Sequence, residues 1–154
     1  MPTITIPGLG AFEYRDEDVL TLPEGLPSFE ALRFFLLAQL AEFAPFLFLV
    51  SLERPSVRFI CVPICLLDPG YRFELLPGEG APPSIEPGEY SAASPDHILL
   101  AILTLPEQGP PTANLIAPVL IVSRRRIGVQ VILAGTSYSH VTPLRQPSAG
   151  EARC

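Results

Sequence analysis

Pro111-Thr112-Ala113-Asn114-Leu115-Ile116-Ala117-Pro118-Val119-Leu120-Ile121-Val122-Ser123, then Arg124-Arg125-Arg126-Ile127-Gly128, then Val129-Gln130-Val131-Ile132-Leu133, is the stretch on which the fold reading turns. Two apolar runs rich in Val and Ile flank a short basic segment that ends in Gly. β-Branched side chains suit a pleated, half-buried surface, and Gly tolerates the positive φ of a tight turn, so the pattern predicts a β-hairpin with Gly128 at its turn. Asn114 is the only Asn in the chain. It stands just before the first run, where its amide can close a local turn against the backbone.

Working outward, Ile98 to Leu105 reads as a buried strand leading into this hairpin, and Tyr138 to Leu144 as a final segment after it. Near the start, Thr3-Ile4-Thr5-Ile6 alternates with period two, Pro7-Gly8 turns, and Phe12 and Tyr14 share one face of a second strand. Val19 to Leu22 is another short strand. Pro45 to Leu52 and Val57 to Val62 form a further pair around a turn at Glu53-Arg54-Pro55-Ser56, and Tyr71-Arg72-Phe73-Glu74-Leu75 alternates cleanly. Ser28 is placed to cap a helix whose face would carry Phe29, Leu32, Leu36, Leu40 and Phe43; the same letters also fit one helical turn followed by a buried strand over 34–40. Periodicity leaves both open. Residues 76–96 are rich in Pro, Gly, Glu and Ser with little periodicity, which fits either a functional loop or a poorly ordered one. Many short strands between turn signals predict a compact, antiparallel all-β fold, a sandwich or a barrel, as a single domain over residues 1–144 with short helical turns, followed by a disordered tail at 145–154.

The chain has 154 residues, 48% of them hydrophobic, with 19 Pro, enough to bury a core and too Pro-rich for long helices. Its formal net charge is −6, all of its cations are Arg, and an acidic surface repels phosphate backbones. Direct nucleic-acid binding is therefore not expected, and a basic protein is the natural complement. Asp16-Glu17-Asp18 is an acidic turn that offers a patch for such a partner. The most apolar stretch, 34–52, is broken by Gln39, Glu42 and Pro45, so no membrane span is expected, and the N-terminus lacks signal-peptide features. Cys61, Cys65 and Cys154 show no disulfide framework and fit a reducing cytoplasm, with Cys61 and Cys65 read as small buried hydrophobes. His97 and His140 are isolated, so neither a metal site nor a Cys–His nucleophile has supporting spacing; no metal, cofactor or catalytic residue is assigned. Arg124-Arg125-Arg126 reads as a solvated hairpin tip.

Thr112-Ala113-Asn114-Leu115-x-Ala117-Pro118, an apolar strand, and Gly128-x-Gln130-x-Ile132 resemble the signature of the bacterial flagellar assembly factor family, FliW. The resemblance extends to Gly25-Leu26-Pro27-Ser28-Phe29, where the family has a Gly-Leu/Ile-Pro-Gly-Phe turn, to Pro45-Phe46 and Ser51-Leu52, to Pro69-x-Tyr71, and to Tyr138. Departures fall on polar positions. Val50 stands where the family usually has Gln, Ser123 replaces an Asn, Val141-Thr142 replaces an Arg-His pair, and Pro63-Ile64 an Asp-Pro. The resemblance implies a β-barrel-like adaptor without catalytic activity. Such a protein binds the RNA-binding translational repressor CsrA and also flagellin, so that export of flagellin frees it to sequester the repressor. It implies a cytoplasmic protein, monomeric when free, with Thr112, Asn114, Gln130 and Tyr138 as candidate partner-binding residues beside Asp16, Glu17 and Asp18. The rival expectation is a small β-barrel enzyme or ligand-binding domain with residues 76–96 as a lid over a pocket.

Overall fold

A computed structural model describes residues 1–78 and 81–144. Along the chain lie β1 (Thr3–Ile6), β2 (Gly10–Glu13), β3 (Leu20–Thr21), β4 (Phe34–Ala38), β5 (Leu47–Ser51), β6 (Arg58–Pro63), β7 (Arg72–Leu75), β8 (Gly88–Ser91), β9 (Ile98–Thr104), β10 (Thr112–Ala113), β11 (Val119–Val122), β12 (Ile127–Gln130) and β13 (Thr142–Pro143). Single 3₁₀ turns occur at Asp16–Asp18, Ala41–Phe43 and Ile64–Leu66. The principal sheet runs β11-β12-β3-β4-β5-β6-β9 and closes through a β9–β11 pairing into a seven-stranded barrel. Every pair in it is antiparallel except β12–β3, which meet in parallel at Ile127 and Thr21. Beyond Ile102, β9 leaves the barrel and pairs with β10, which pairs with β13.

The pleat sorts side chains into three cores. Phe35, Leu49, Cys61, Leu100, Val119 and Ile121 point into the lumen and fill it with Leu20, Leu22, Leu26 and Leu32. Alternate residues point outward and are covered by hairpins. Leu36, Ala38, Phe48 and Val50 lie under Ile4 and Ile6 of the β1–β2 hairpin. Val62, Leu99, Ala101, Leu120 and Val129 lie under Tyr71, Phe73, Leu75 and Ile85 of the β7–β8 hairpin and its approach. Strands covered on both faces read as continuous apolar runs, which is why β5, β9 and β11 lack a polar alternation. Each fully buried Leu, Ile or Phe contributes about 1.5–3 kcal/mol.

The ambiguous segment holds the strand β4 followed by the 3₁₀ turn at Ala41–Phe43, and no α-helix forms there. Ser28 is not a helix cap: it sits at φ +72° inside a tight turn, closed by the Phe29 N–H donating to the Leu26 carbonyl at 2.7 Å. Pro27 at the second position and a positive φ at the third make this a type II turn. The resemblance places Gly at that third position. Gly25, three residues earlier, has φ +63°, and a Cβ there would come within 2.6 Å of the Glu30 backbone. Gly128 does not serve the hairpin turn either. Arg126 takes the positive φ (+53°), and Gly128 faces the lumen, where an added Cβ would press on Leu22 at 3.2 Å.

The expected loop at 76–96 contains β8, and Ile85 and Tyr90 pack against the barrel, so it is not a lid. With the lumen filled by side chains, the pocket that the rival reading requires is not inside the barrel. Of the final segment, Thr142–Pro143 alone is strand. Cys61 is a free, buried thiol as expected, whereas Cys65 is half-buried and disulfide-bonded, so cysteine usage does not carry the cytoplasmic expectation. The expected disordered tail at 145–154 lies outside the described residues.

Candidate functional site

β10 and β11 lie on the same edge of β9, so residues 112–122 form one strand interrupted by a loop at 114–118. An interruption strands main-chain polar groups that must find partners elsewhere. Here nearly all do. The Asn114 N–H donates to Ile102 O at 3.0 Å, and its side-chain Oδ1 accepts from the N–H groups of Ile116 and Ala117, both at 3.1 Å. The Leu115 N–H donates to Ser139 O at 2.9 Å, and the Leu115 carbonyl accepts from the Tyr71 hydroxyl at 2.6 Å. The carbonyls of Ile116 and Pro118 accept from the Leu133 and Val131 N–H groups, and Gln130 Nε2 donates to the Ala117 carbonyl at 3.1 Å. Asn114 therefore closes its turn as the sequence predicted, and Gln130, expected on a strand, braces the same loop from across the hairpin.

Tyr138 completes the arrangement. Its ring lies 4.3 Å from that of Tyr71, centroid to centroid, and its hydroxyl is 3.4 Å from both the N and the O of Arg72. Burial, then the neighbouring Tyr138 and Asp68, pushes the Tyr71 phenol far above its ordinary range, so it stays a neutral donor. Thr112 is half-buried in β10, opposite Thr104 and Pro143. Four of the sequence-predicted residues thus converge on one loop, and the side chains of three of them are committed to holding it or the strand beside it. Tyr71 and Ser139 complete the set; only the Pro-x-Tyr spacing pointed to Tyr71, and no sequence signal pointed to Ser139.

The acidic turn lies at the other end of the β11–β12 hairpin. Asp16, Glu17 and Asp18 are exposed in their 3₁₀ turn. Cations flank them: Arg15 pairs with Glu17 at 3.3 Å, and Arg126 donates to the Asp16 carbonyl at 3.1 Å. Local attraction for a basic partner is correspondingly reduced, since exposed pairs also screen each other. Arg125 reaches the Ser84 carbonyl, so two of the three tip arginines have intramolecular work.

Among the described residues, concavities lie outside the barrel. A groove of about 680 Å³ opens where β4, β5, β6 and β9 end or begin, lined by Leu37, Pro45, Leu47, Pro63 and Ile98 with Gln39 and His97 as polar groups. A second, of about 560 Å³, separates β8 from the tip of β11–β12. Burial pushes the Cys61 thiol up to about 12, which suits a core side chain and not a nucleophile. Among the described residues no group of three His, Cys, Asp or Glu side chains is placed to hold a metal ion.

Comparison with known proteins agrees with this architecture. The family model described as FliW protein matches residues 3–144. A flagellar assembly factor FliW from Moorella thermoacetica is 33% identical over 133 residues, covering 84% of this chain and 80% of the relative. One from Natranaerobius thermophilus is 30% identical, covering 97% of both chains. A crystal structure of the flagellar assembly factor FliW superposes with a TM-score of 0.76 at 29% identity, covering 92% of this chain and 96% of the other. The match spans every strand and the braced loop: the chain belongs to the FliW family of flagellar assembly factors.

Proposed function

We propose that this protein is a non-enzymatic, protein-binding regulator of flagellum assembly that sequesters a CsrA-type translational repressor and, alternately, binds flagellin, so that flagellin supply controls flagellin translation. The observation that carries the reading is family membership over residues 3–144. The braced 114–118 loop supports it: a rigid loop with its own hydrogen bonds satisfied lowers the ordering cost of docking a protein partner. The net charge of −6 supports attraction of a basic, RNA-binding partner, with the steering attributed to the whole surface and not to Asp16–Asp18 alone. No helix among the described residues is long and apolar enough to cross a membrane. The site of action is the cytoplasm, where both partners are made, and the free protein is a monomer. Thr112, Asn114, Gln130 and Tyr138 act on partner binding through the shape of the loop.

Titration calorimetry against the CsrA-type regulator of the same organism, at low and at physiological salt, tests this. Submicromolar binding that weakens as the screening length drops to about 8 Å is expected. Absence of a complex with both the regulator and flagellin would remove the reading. Binding indifferent to salt would keep the function and replace steering by apolar or main-chain contact.

A further inference from the structure

The β7–β8 hairpin forms a two-stranded sheet of its own, with no third strand on either side among the described residues. Its register decides which main-chain groups point outward. The N and O of Arg72 both lie 3.4 Å from the Tyr138 hydroxyl. Across the hairpin, the N and O of Ser91 lie 3.0 and 2.9 Å from Nε2 of His97. Both residues therefore turn their main-chain groups away from each other, and Arg72–Ser91 is a non-hydrogen-bonded pair. Antiparallel ladders alternate, so Phe73–Tyr90 is the bonded pair and Glu74–Glu89 is again non-bonded. The Glu89 N–H and C=O face outward, one alternation beyond the point where His97 caps the edge. Among the described residues no hydrogen bond closes on them.

Two further observations concern the same place. Glu74 and Glu89 are exposed and stand directly opposite each other at the closer of the two cross-strand spacings, an arrangement of like charges that costs stability. Arg72, 3.6 Å from Glu89, is the cation that offsets it. Beside the edge lies the concavity of about 560 Å³, with Tyr90 and His97 on the hairpin side and Val122, Arg124 and Arg125 on the barrel side.

We propose that the outer edge of β8 at Glu89 is a strand-addition site for an extended segment of a partner protein with Lys or Arg at alternate positions. One residue of the incoming strand exchanges both main-chain hydrogen bonds with Glu89. Its side chain then lies on the solvent face, where a cation meets the Glu74–Glu89 pair, while its neighbours in sequence point toward Tyr90 and Val122. His97 sets where the added strand stops. The inference deepens the proposed function, on which the identity of the partner as a regulatory protein rests; the geometry of the edge does not depend on it.

The test is an NMR titration of the full-length, ¹⁵N-labelled protein with capped octapeptides of alternating Lys-Val and of alternating Glu-Val. The basic peptide is expected to shift the Glu89, Tyr90 and Ser91 amides saturably and to bind about tenfold tighter than the acidic one. Glu89→Pro deletes the outward N–H while the ladder bonds of Tyr90 remain, and is expected to weaken the peptide at least about fivefold. Glu74→Gln with Glu89→Gln keeps every main-chain group and is expected to flatten the salt dependence, which keeps the proposal testable if the Pro variant does not fold. Shifts confined to other surfaces, absence of saturable binding, or unchanged affinity of folded Glu89→Pro overturns it. The same variant against the regulator in calorimetry separates the two readings. Lost regulator binding supports both, and retained regulator binding with lost peptide binding keeps the edge and moves the regulator elsewhere. Failure of the unmodified protein to bind the regulator counts against the proposed function alone.

Discussion

The barrel has two hairpin covers, and they are attached differently. β1–β2 lies over β4, β5 and β6, contributes Ile4 and Ile6 to an apolar contact, and is tied to β6 where the Arg58 guanidinium donates to the Pro7 carbonyl. β7–β8 lies over β6, β9, β11 and β12 with a larger apolar set, and is also tied by a phenol to the carbonyl of Leu115 and by a second phenol to Arg72. Apolar burial is non-directional, and the Arg58 bond runs only to strand β6, so neither tie of the first cover specifies a loop elsewhere. The hydrogen bond from Tyr71 is directional, and it couples the second cover to the 114–118 loop. One hairpin closes a core; the other closes a core and shapes a surface.

The largest expected effects test the part the covers share. Ile6→Ala and Phe73→Ala each remove a well-buried side chain and are expected to destabilise by roughly 2–5 kcal/mol, the Phe change at the upper end. Urea unfolding measures both. A loss below about 1 kcal/mol at Ile6 would mean that β1–β2 only rests on the barrel.

The next effect tests the difference. Tyr71→Phe keeps the ring and leaves the buried Leu115 carbonyl without its donor, a loss of about 1–3 kcal/mol. Asn114→Ala opens the turn on the other side of the same residue. A double-mutant cycle is expected to show coupling above about 0.5 kcal/mol, because both act on one loop. Ile6→Ala paired with Asn114→Ala is expected to be additive. Additivity in the first cycle would break the claim that β7–β8 and the loop act as a unit.

Legibility follows the same division. β1 and β2 were readable because one face is buried and the other wet, so period two appears in Thr3–Ile6. β5, β6, β9 and the β11–β12 hairpin were readable as apolar runs bounded by turn residues. β4 was not, since Phe35 and Leu36 are buried on opposite faces of one strand and their letters satisfy a helical stripe as well. β8 was hidden because four residues among Pro and Gly carry too little periodicity, and its evidence is the distant partner β7. The parallel β12–β3 contact within the barrel joins residues more than a hundred positions apart and leaves no local trace. At the candidate site Asn114 was legible as turn chemistry, whereas bracing by Gln130 and Tyr71 depends on long-range register. Ser28 was misread because Ser before an acidic residue signals a helix cap, yet Pro27 and the tight closure impose a type II turn. Ser28→Gly, outside both hairpins, is expected to stabilise by roughly 0.5–1 kcal/mol by relieving the positive φ, read as an increase in the urea midpoint with unchanged slope.

The smallest effect separates the two sides of the barrel by pH. On the β1–β2 side, Glu53 Oε1 accepts from the N–H groups of Phe34 and Arg33, at 2.9 and 2.6 Å, and these bonds hold its carboxyl below the ordinary value of 4.5. A carboxylate with a depressed folded pKa contributes stability that is complete above 4.5 and is lost as pH falls through the folded value. On the β7–β8 side the Tyr71 phenol is raised above its ordinary value of 10.0, so its contribution is complete below that pH and lost only as pH rises beyond it. Acid is therefore expected to loosen the start of β4 while the 114–118 loop keeps its hydrogen bonds. Amide exchange, corrected for the intrinsic pH dependence, reads this directly. Protection of Arg33 and Phe34 should fall toward that of a Glu53→Ala variant as pH drops below 4.5, with Ile116 and Ala117 unchanged. Equal loss of protection at both places would mean that acid weakens the barrel as one body, and that the two covers are not independently anchored.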